Sequence, residues 1–195
     1  MATTATPTGA EPVGTLSSSG SYTGKVRHIP IATTYDTAIF YGDFVHMVSS
    51  GTVEVSSFTT AVQVGIVGIF LGCQYTDPTT GQFTASQQWP ADNAATDAVA
   101  LVADDPFLLF RMQASAAVPA AALGNNIAAV MTAGDTLIGR SKNALNGTSE
   151  ATTNTLPLRI VEFVDGPFST AGDAFTDIIV TYLPGSHAYL AILGV

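Results

Sequence analysis

The sequence predicts an all-β protein, mainly an antiparallel sandwich or barrel, with one short helix and an extended N-terminal arm. Three observations carry this expectation. Short apolar runs recur along the chain, separated by Gly, Pro, Asp and Asn turn signals. Some runs alternate with period two, as in "GTVEVSSF" through Val53, Val55 and Ser57. No stretch sustains the 3.6-residue periodicity of a long amphipathic helix.

Residues 1–25 read as a flexible N-terminal arm, and residues 26–195 as one β-rich globular domain. The arm is built from Thr, Ser, Gly, Ala and Pro with few large apolar side chains. Such a segment buries too little surface to offset its own ordering entropy. It is therefore either a frayed terminus or an arm that orders on a partner surface. Val13, Leu16 and Tyr22 are the side chains able to anchor it. Lys25, Arg27 and His28 form the densest basic group, which is either a solvated strand start or a local contact to an acidic partner.

"VGIVGIFLGCQYTDPTTGQ" (64–82) is the most informative stretch. Asp77-Pro78 sets φ for a turn, and Gly81 can close it at positive φ. Residues 62–75 then read as a strand entering a tight connection. Strict alternation places Val62, Val64, Ile66 and Phe70 on one face, and Val67, Ile69, Leu71 and Cys73 on the other. Both faces are apolar, so the strand needs cover on both sides, unlike a strand of a one-sided sheet. Gly65, Gly68 and Gly72 suit bends or close backbone approach. They match neither a phosphate loop nor a dinucleotide fingerprint, since no Lys-Ser/Thr and no helix follow.

Further along, Trp89-Pro90 reads as an aromatic plug in a polar loop over 85–97. "AVALVADDPFLLFRMQA" reads as two strands joined at Asp104-Asp105-Pro106. "VPAAALGNN" suits one short helical turn, with Pro119 at its start and Gly124 after its end. "GDTLIGR" reads as the start of a strand, and "LPLRIVEFVDG" and "DAFTDIIVTYLPG" as two more. The apolar C-terminus, "HAYLAILGV", must dock in its own sheet or on a neighbour.

Composition narrows the function. Charged residues are 11% of the chain against about 25% in ordinary globular domains, and the net charge is −9. A nucleic-acid partner is not expected, because there is no Lys/Arg stripe to displace phosphate counterions. No run approaches the ~18 apolar residues of a membrane helix, and the N-terminus lacks the basic and apolar regions of a signal peptide. A soluble protein made in a host cytoplasm is expected. The sparse charge, the two-sided strand and the apolar tail together ask for protein neighbours, with foreign polypeptide completing part of the interior.

Catalytic signatures are weak. His28, His46 and His187 show no metal-ligand spacing, and no nucleophile elbow is present. Asp104-Asp105 before Pro reads as a turn rather than a cation site. Cys73, the only cysteine, reads as a small core hydrophobe. No cofactor, metal or catalytic residue is expected.

Taken in order, the Thr/Ser/Gly-rich arm, "GDFVHMVSSGTVEV", "VGIVGIFLGCQYTDPTTGQ", "WPA", "VADDPFLLFRMQ" and "LRIVEFVDGP…D…IIVTYLPGSHAY" resemble the structural proteins of tailed bacteriophages. The likeness is to the capsid decoration or cement proteins of marine phages, over most of residues 26–190. It implies a non-enzymatic virion protein on the capsid exterior. There it would clamp neighbouring major capsid subunits as a homo-oligomer, a trimer being favoured. Other virion roles (a head-fibre base, a minor capsid or tail protein) and a carbohydrate-binding β-sandwich are the alternatives. In the last, Trp89 and the tyrosines would stack on sugars.

Overall fold

A computed structural model of the chain describes residues 4–17, 21–57 and 65–191. Its strands, in order, are β1 (Glu11–Thr15), β2 (Arg27–Pro30), β3 (Ile39–Phe40), β4 (Phe44–Met47), β5 (Val53–Val55), β6 (Ile66–Thr76), β7 (Phe83–Ser86) and β8 (Gln88–Trp89). They continue with β9 (Val99–Ala103), β10 (Leu108–Gln113), β11 (Asn126–Ile127), β12 (Ala129–Val130), β13 (Ala144–Leu145), β14 (Leu158–Phe163) and β15 (Asp177–Tyr182). The predominantly antiparallel β character follows the sequence. The expected helix is reduced to one 3-10 turn, Ala120–Ala122, entered from Pro119.

Two sheets dominate. The first has the order β1-β10-β15-β14-β11. The second has the order β2-β9-β6-β4-β5, with β7 also paired to β6. β9 and β10 are joined at Asp104-Asp105-Pro106 as expected, but they lie in different sheets, so the join is a crossover and not a hairpin. The DPTTG turn is as read. Asp77 Oδ1 accepts from the Thr79 and Thr80 amides, the Asp77 amide donates to Gln82 O, and Gly81 has φ +70°.

The two sheets pack face to face around one core. Leu108, Phe110, Met112, Leu158, Ile160, Ile178, Val180 and Tyr182 of the first sheet meet Phe44, Ile66 and Ile69 of the second. The other face of the second sheet carries Ile29, Val45, Val67, Phe70, Cys73 and Val102, and has its own core under Ile31, Ile39, Trp89 and Ala95. β6 is thus buried on both sides by this chain alone. The expectation that foreign polypeptide completes the interior is corrected: a second sheet and a layer of short strands and loops supply the two walls.

The face assignment along β6 also changes. Ile66 and Ile69 point into the first core, with Leu71 against it, while Val67, Phe70, Cys73 and Tyr75 point into the second. Two bulges cause this. β4 pairs Val45 with Gly68 and His46 with Ile66, skipping Val67; β9 pairs Val102 with Phe70 and Leu101 with Gly72, skipping Leu71. Each extra residue flips the alternation. The glycines are required there: a Cβ on Gly68 would lie 2.1 Å from Ala103 O, and Gly72 has φ +140° with Ser86 O 2.7 Å from its would-be Cβ. Val62 and Val64 lie outside the described residues.

Two further readings change. Within the N-terminal segment, β1 pairs with β10, and Ala10 is fully buried in the first core, so this stretch belongs to the domain and not to a free arm. β1 supplies backbone partners for the outer edge of β10, which outweighs the low apolar content of the segment. "GDTLIGR" forms a tight turn and not a strand: the Asp135 amide donates to Arg140 O, and Gly139 N to Asp135 O. The C-terminal segment docks as expected as far as it is described, with His187 bridged to Ile66 and Ala188 N donating to Ile66 O at 2.7 Å.

Candidate interaction surface

The chain crosses between the sheets twice along one rim. Residues 16–17 leave β1 and residues 21–26 enter β2, while residues 104–107 lead from β9 to β10. Since β1 pairs with β10 and β2 with β9, the two crossings run side by side. The Leu16 amide donates to Phe107 O at 2.9 Å and ties them together. Residues 183–190 close the same rim.

The rim presents a groove of about 300 Å³, lined by Leu16, Pro106, Phe107, Val161, Leu183 and Leu190 among others. Three of these side chains stand out from the surface: Leu16 is 53% exposed, Phe107 51% and Leu190 37%. Phe107 is raised by its turn, in which Asp105 Oδ1 accepts the Phe107 amide and Asp105 O accepts the Leu108 amide. Val13 is the extra residue of a bulge in β1 and is 43% exposed.

Beside the groove lies a charge cluster. Asp104 is fully buried, and its Oδ2 accepts from Arg27 Nε at 2.7 Å and from the Tyr189 hydroxyl at 3.1 Å. The Arg27 guanidinium lies 5.1 Å from the Tyr189 ring centroid. Tyr189 N donates to His187 Nδ1, so that nitrogen carries no proton. Burial lowers the His187 pKa to about 4, against the opposing effects of the Val67 backbone and of Asp104 and Asp105. The imidazole is therefore neutral at pH 7.

Of the six residues expected to contact a partner, Leu16 lines the groove just after β1, and Val13 stands exposed within β1. Lys25 and His28 are exposed near the crossing. Arg27 is not a free cation: its charge is committed to Asp104. Tyr22 packs against the first core and donates its hydroxyl to Lys25 O at 3.2 Å, so its anchoring is internal. Phe107 and Leu190 complete the rim and were not singled out from sequence. A Phe directly after Asp-Asp-Pro was the available signal, since such a turn lifts the next side chain out of the sheet.

Other candidates are occupied structurally. Trp89 is fully buried, donates Nε1–H to Tyr35 O at 3.3 Å and meets Tyr75 edge-on, so it offers no face to a sugar. Burial pushes the Cys73 thiol up to about 12, and its Sγ faces Gln88 O at 3.2 Å. A larger cavity of about 440 Å³ lies over Phe40, Asp43 and Asn143. Its one buried carboxylate is already used: Asp43 Oδ2 accepts the Phe40 amide and Oδ1 the Asn143 amide group, both at 2.9 Å. Among the described residues no three His, Cys, Asp or Glu side chains gather as a metal site, and no helix is long and apolar enough to cross a membrane.

No known protein family, curated protein or solved structure matches the chain.

Proposed function

We propose that this protein is a capsid decoration protein of a tailed bacteriophage. It binds the outer surface of the head and holds neighbouring major capsid subunits together. The observation that carries the reading is the crossing rim, where Leu16, Phe107 and Leu190 stand exposed around an apolar groove. Apolar side chains gathered along one groove, and not scattered singly, are the mark of an interaction site.

The work of a cement protein is mechanical and needs no reacting group. It requires buried area across a seam, about 1,200–2,000 Å² for a specific contact. Repetition over the shell then turns modest contacts into avidity. A net charge of −9 suits an outward face that repels stray nucleic acid and neighbouring particles. The rim meets the shell, and several copies cluster around a symmetry axis, threefold in the phage proteins the sequence resembles.

The test is co-sedimentation of the purified chain with expanded, undecorated heads, with the head disruption temperature measured alongside. Saturable binding at micromolar concentration and a raised disruption temperature are expected. Heads that pellet without the protein, and disrupt at an unchanged temperature, overturn the reading.

A further inference from the structure

Among the described residues, the outermost strands of the two main sheets are defended in all places but one. β1 carries Glu11, Pro12 and a bulge, and Gly14 is bridged to Ser21. β2 carries Arg27, His28 and Pro30, and β5 carries Glu54. The outer side of Asn126 in β11 is closed by Ala151, through main-chain bonds of 2.8 and 3.0 Å. Charges, prolines, bulges and covering segments are the usual means of keeping an edge from pairing with another chain. β7 has none of them. Its sequence is Phe-Thr-Ala-Ser, and its outer side pairs with no strand among the described residues.

The register of the β6–β7 hairpin tells which main-chain groups face outward. Asp77 N donates to Gln82 O, which makes that pair a hydrogen-bonded one. Alternation makes Thr76–Phe83 non-bonded, Tyr75–Thr84 bonded and Gln74–Ala85 non-bonded. The Thr76 amide agrees, because it turns away from β7 and donates to Asp97 Oδ1. Phe83 and Ala85 therefore direct their N–H and C=O groups away from β6. Phe83 also leaves 69% of its surface in solvent.

Charge selects the occupant. The chain carries −9, so two copies repel over most of their surfaces. Residues 78–91 contain no Asp, Glu, Lys, Arg or His, and β7 lies in the middle of this strip. The Asp135–Arg140 turn adjoins the strip, with Gln88 Nε2 donating to Thr136 O, and presents Leu137, 95% exposed, and Ile138, 62% exposed.

We propose that β7 pairs antiparallel with β7 of a second copy across a two-fold axis at Thr84. Phe83 of each copy then faces Ala85 of the other. Four main-chain hydrogen bonds form, and the two second sheets become one continuous sheet. The contact is self-complementary and uses up the one outermost strand left undefended among the described residues, so it closes as a dimer and does not grow into a fibre. This pairing stands independently of the capsid reading and is distinct from a threefold cluster.

Light scattering on the eluting full-length chain, over a concentration series, reads the mass. The expected result is a concentration-dependent mass of two chains. Ala85→Pro removes an outward N–H while keeping the bonds to β6, a position where an edge strand tolerates proline. It is expected to weaken dimerisation at least tenfold, with an unchanged melting curve as the check on folding. Hydrogen exchange gives a second readout, in which the Phe83 and Ala85 amides of the wild type gain protection as concentration rises. A monomer at all concentrations, a mass of three chains, or a dimer indifferent to Ala85→Pro overturns the proposal. Protection of those two amides that appears only when a capsid subunit is added assigns the edge to a foreign strand, and also overturns it.

Discussion

Arg27 Nε lies 2.7 Å from Asp104 Oδ2, so a half-exposed guanidinium on β2 closes over a fully buried carboxylate in the crossover between the sheets. Removing the cation leaves Asp104 with the Tyr189 hydroxyl as its remaining charge-stabilising partner. Breaking a fully buried pair costs 3–5 kcal/mol, and the exposure of Arg27 reduces this to about 2 kcal/mol. Arg27→Ala is expected to lower Tm by roughly 4–8 °C. Thermal unfolding by circular dichroism checks it, and an unchanged Tm would show that water replaces the guanidinium at no cost.

Glu11 fastens β1 through Arg111 at 2.6 Å and Arg140 at 2.8 Å. Partial burial works to raise its pKa, but hydrogen bonds and charge attraction from the two arginines together outweigh burial and hold the carboxyl below its ordinary value. A folded-state pKa below the unfolded one means the unfolded chain binds the proton more readily. The stabilisation is therefore complete above the ordinary glutamate range and is lost as pH falls through that range towards the depressed value. Urea unfolding across this window is expected to show a loss of stability that Glu11→Gln removes.

Gly68 and Gly72 are expected to be the least replaceable residues of β6. Gly68→Ala drives a methyl into Ala103 O and is expected to cost about 3 kcal/mol or more, at the upper end of overpacking. Gly51, at φ +79° with open space around it, serves as the control, and Gly51→Ala is expected to cost about 1 kcal/mol from backbone strain alone. Chemical denaturation of both variants measures the difference.

Cys73 is expected to be inert in the folded protein. Its thiol is buried and its pKa is raised to about 12, so almost no thiolate forms at neutral pH. A maleimide probe is expected to label it only after denaturation, with labelling of the native state slower by at least a hundredfold. Mass spectrometry of the labelled chain reads the result.

The all-β class, the DPTTG turn, the core position of Cys73 and the burial of Trp89 were legible because each depends on local chemistry, although Trp89 lies in β8, paired with β3, and not in the loop expected over 85–97. The two faces of β6 were not. Their parity depends on bulges opposite Val45 and Val102, and those are properties of the register with neighbouring strands. Leu137 and Ile138 imitate a strand start in sequence, while the turn that displays them is set by hydrogen bonds from Asp135. Leu16 was singled out in the sequence, but Phe107 and Leu190, which line the groove with it, come from distant parts of the chain. Arg27 read as a free cation because Asp104 reaches it only after two crossings are laid side by side.

The rim residues give the functional reading its sharpest mutational form. Leu16→Asp and Phe107→Asp replace exposed apolar side chains, so each is expected to change stability by no more than about 0.5 kcal/mol. Each is also expected to weaken co-sedimentation with expanded heads at least tenfold. Retained binding in both variants would move the contact elsewhere on the molecule.

A reconstruction of expanded heads incubated with the chain would show whether and how it binds the shell. Ordered density is expected on the exterior of the shell, with Leu16, Phe107 and Leu190 against the major capsid subunits. Bare heads, or bound protein whose crossing rim faces solvent, would contradict it.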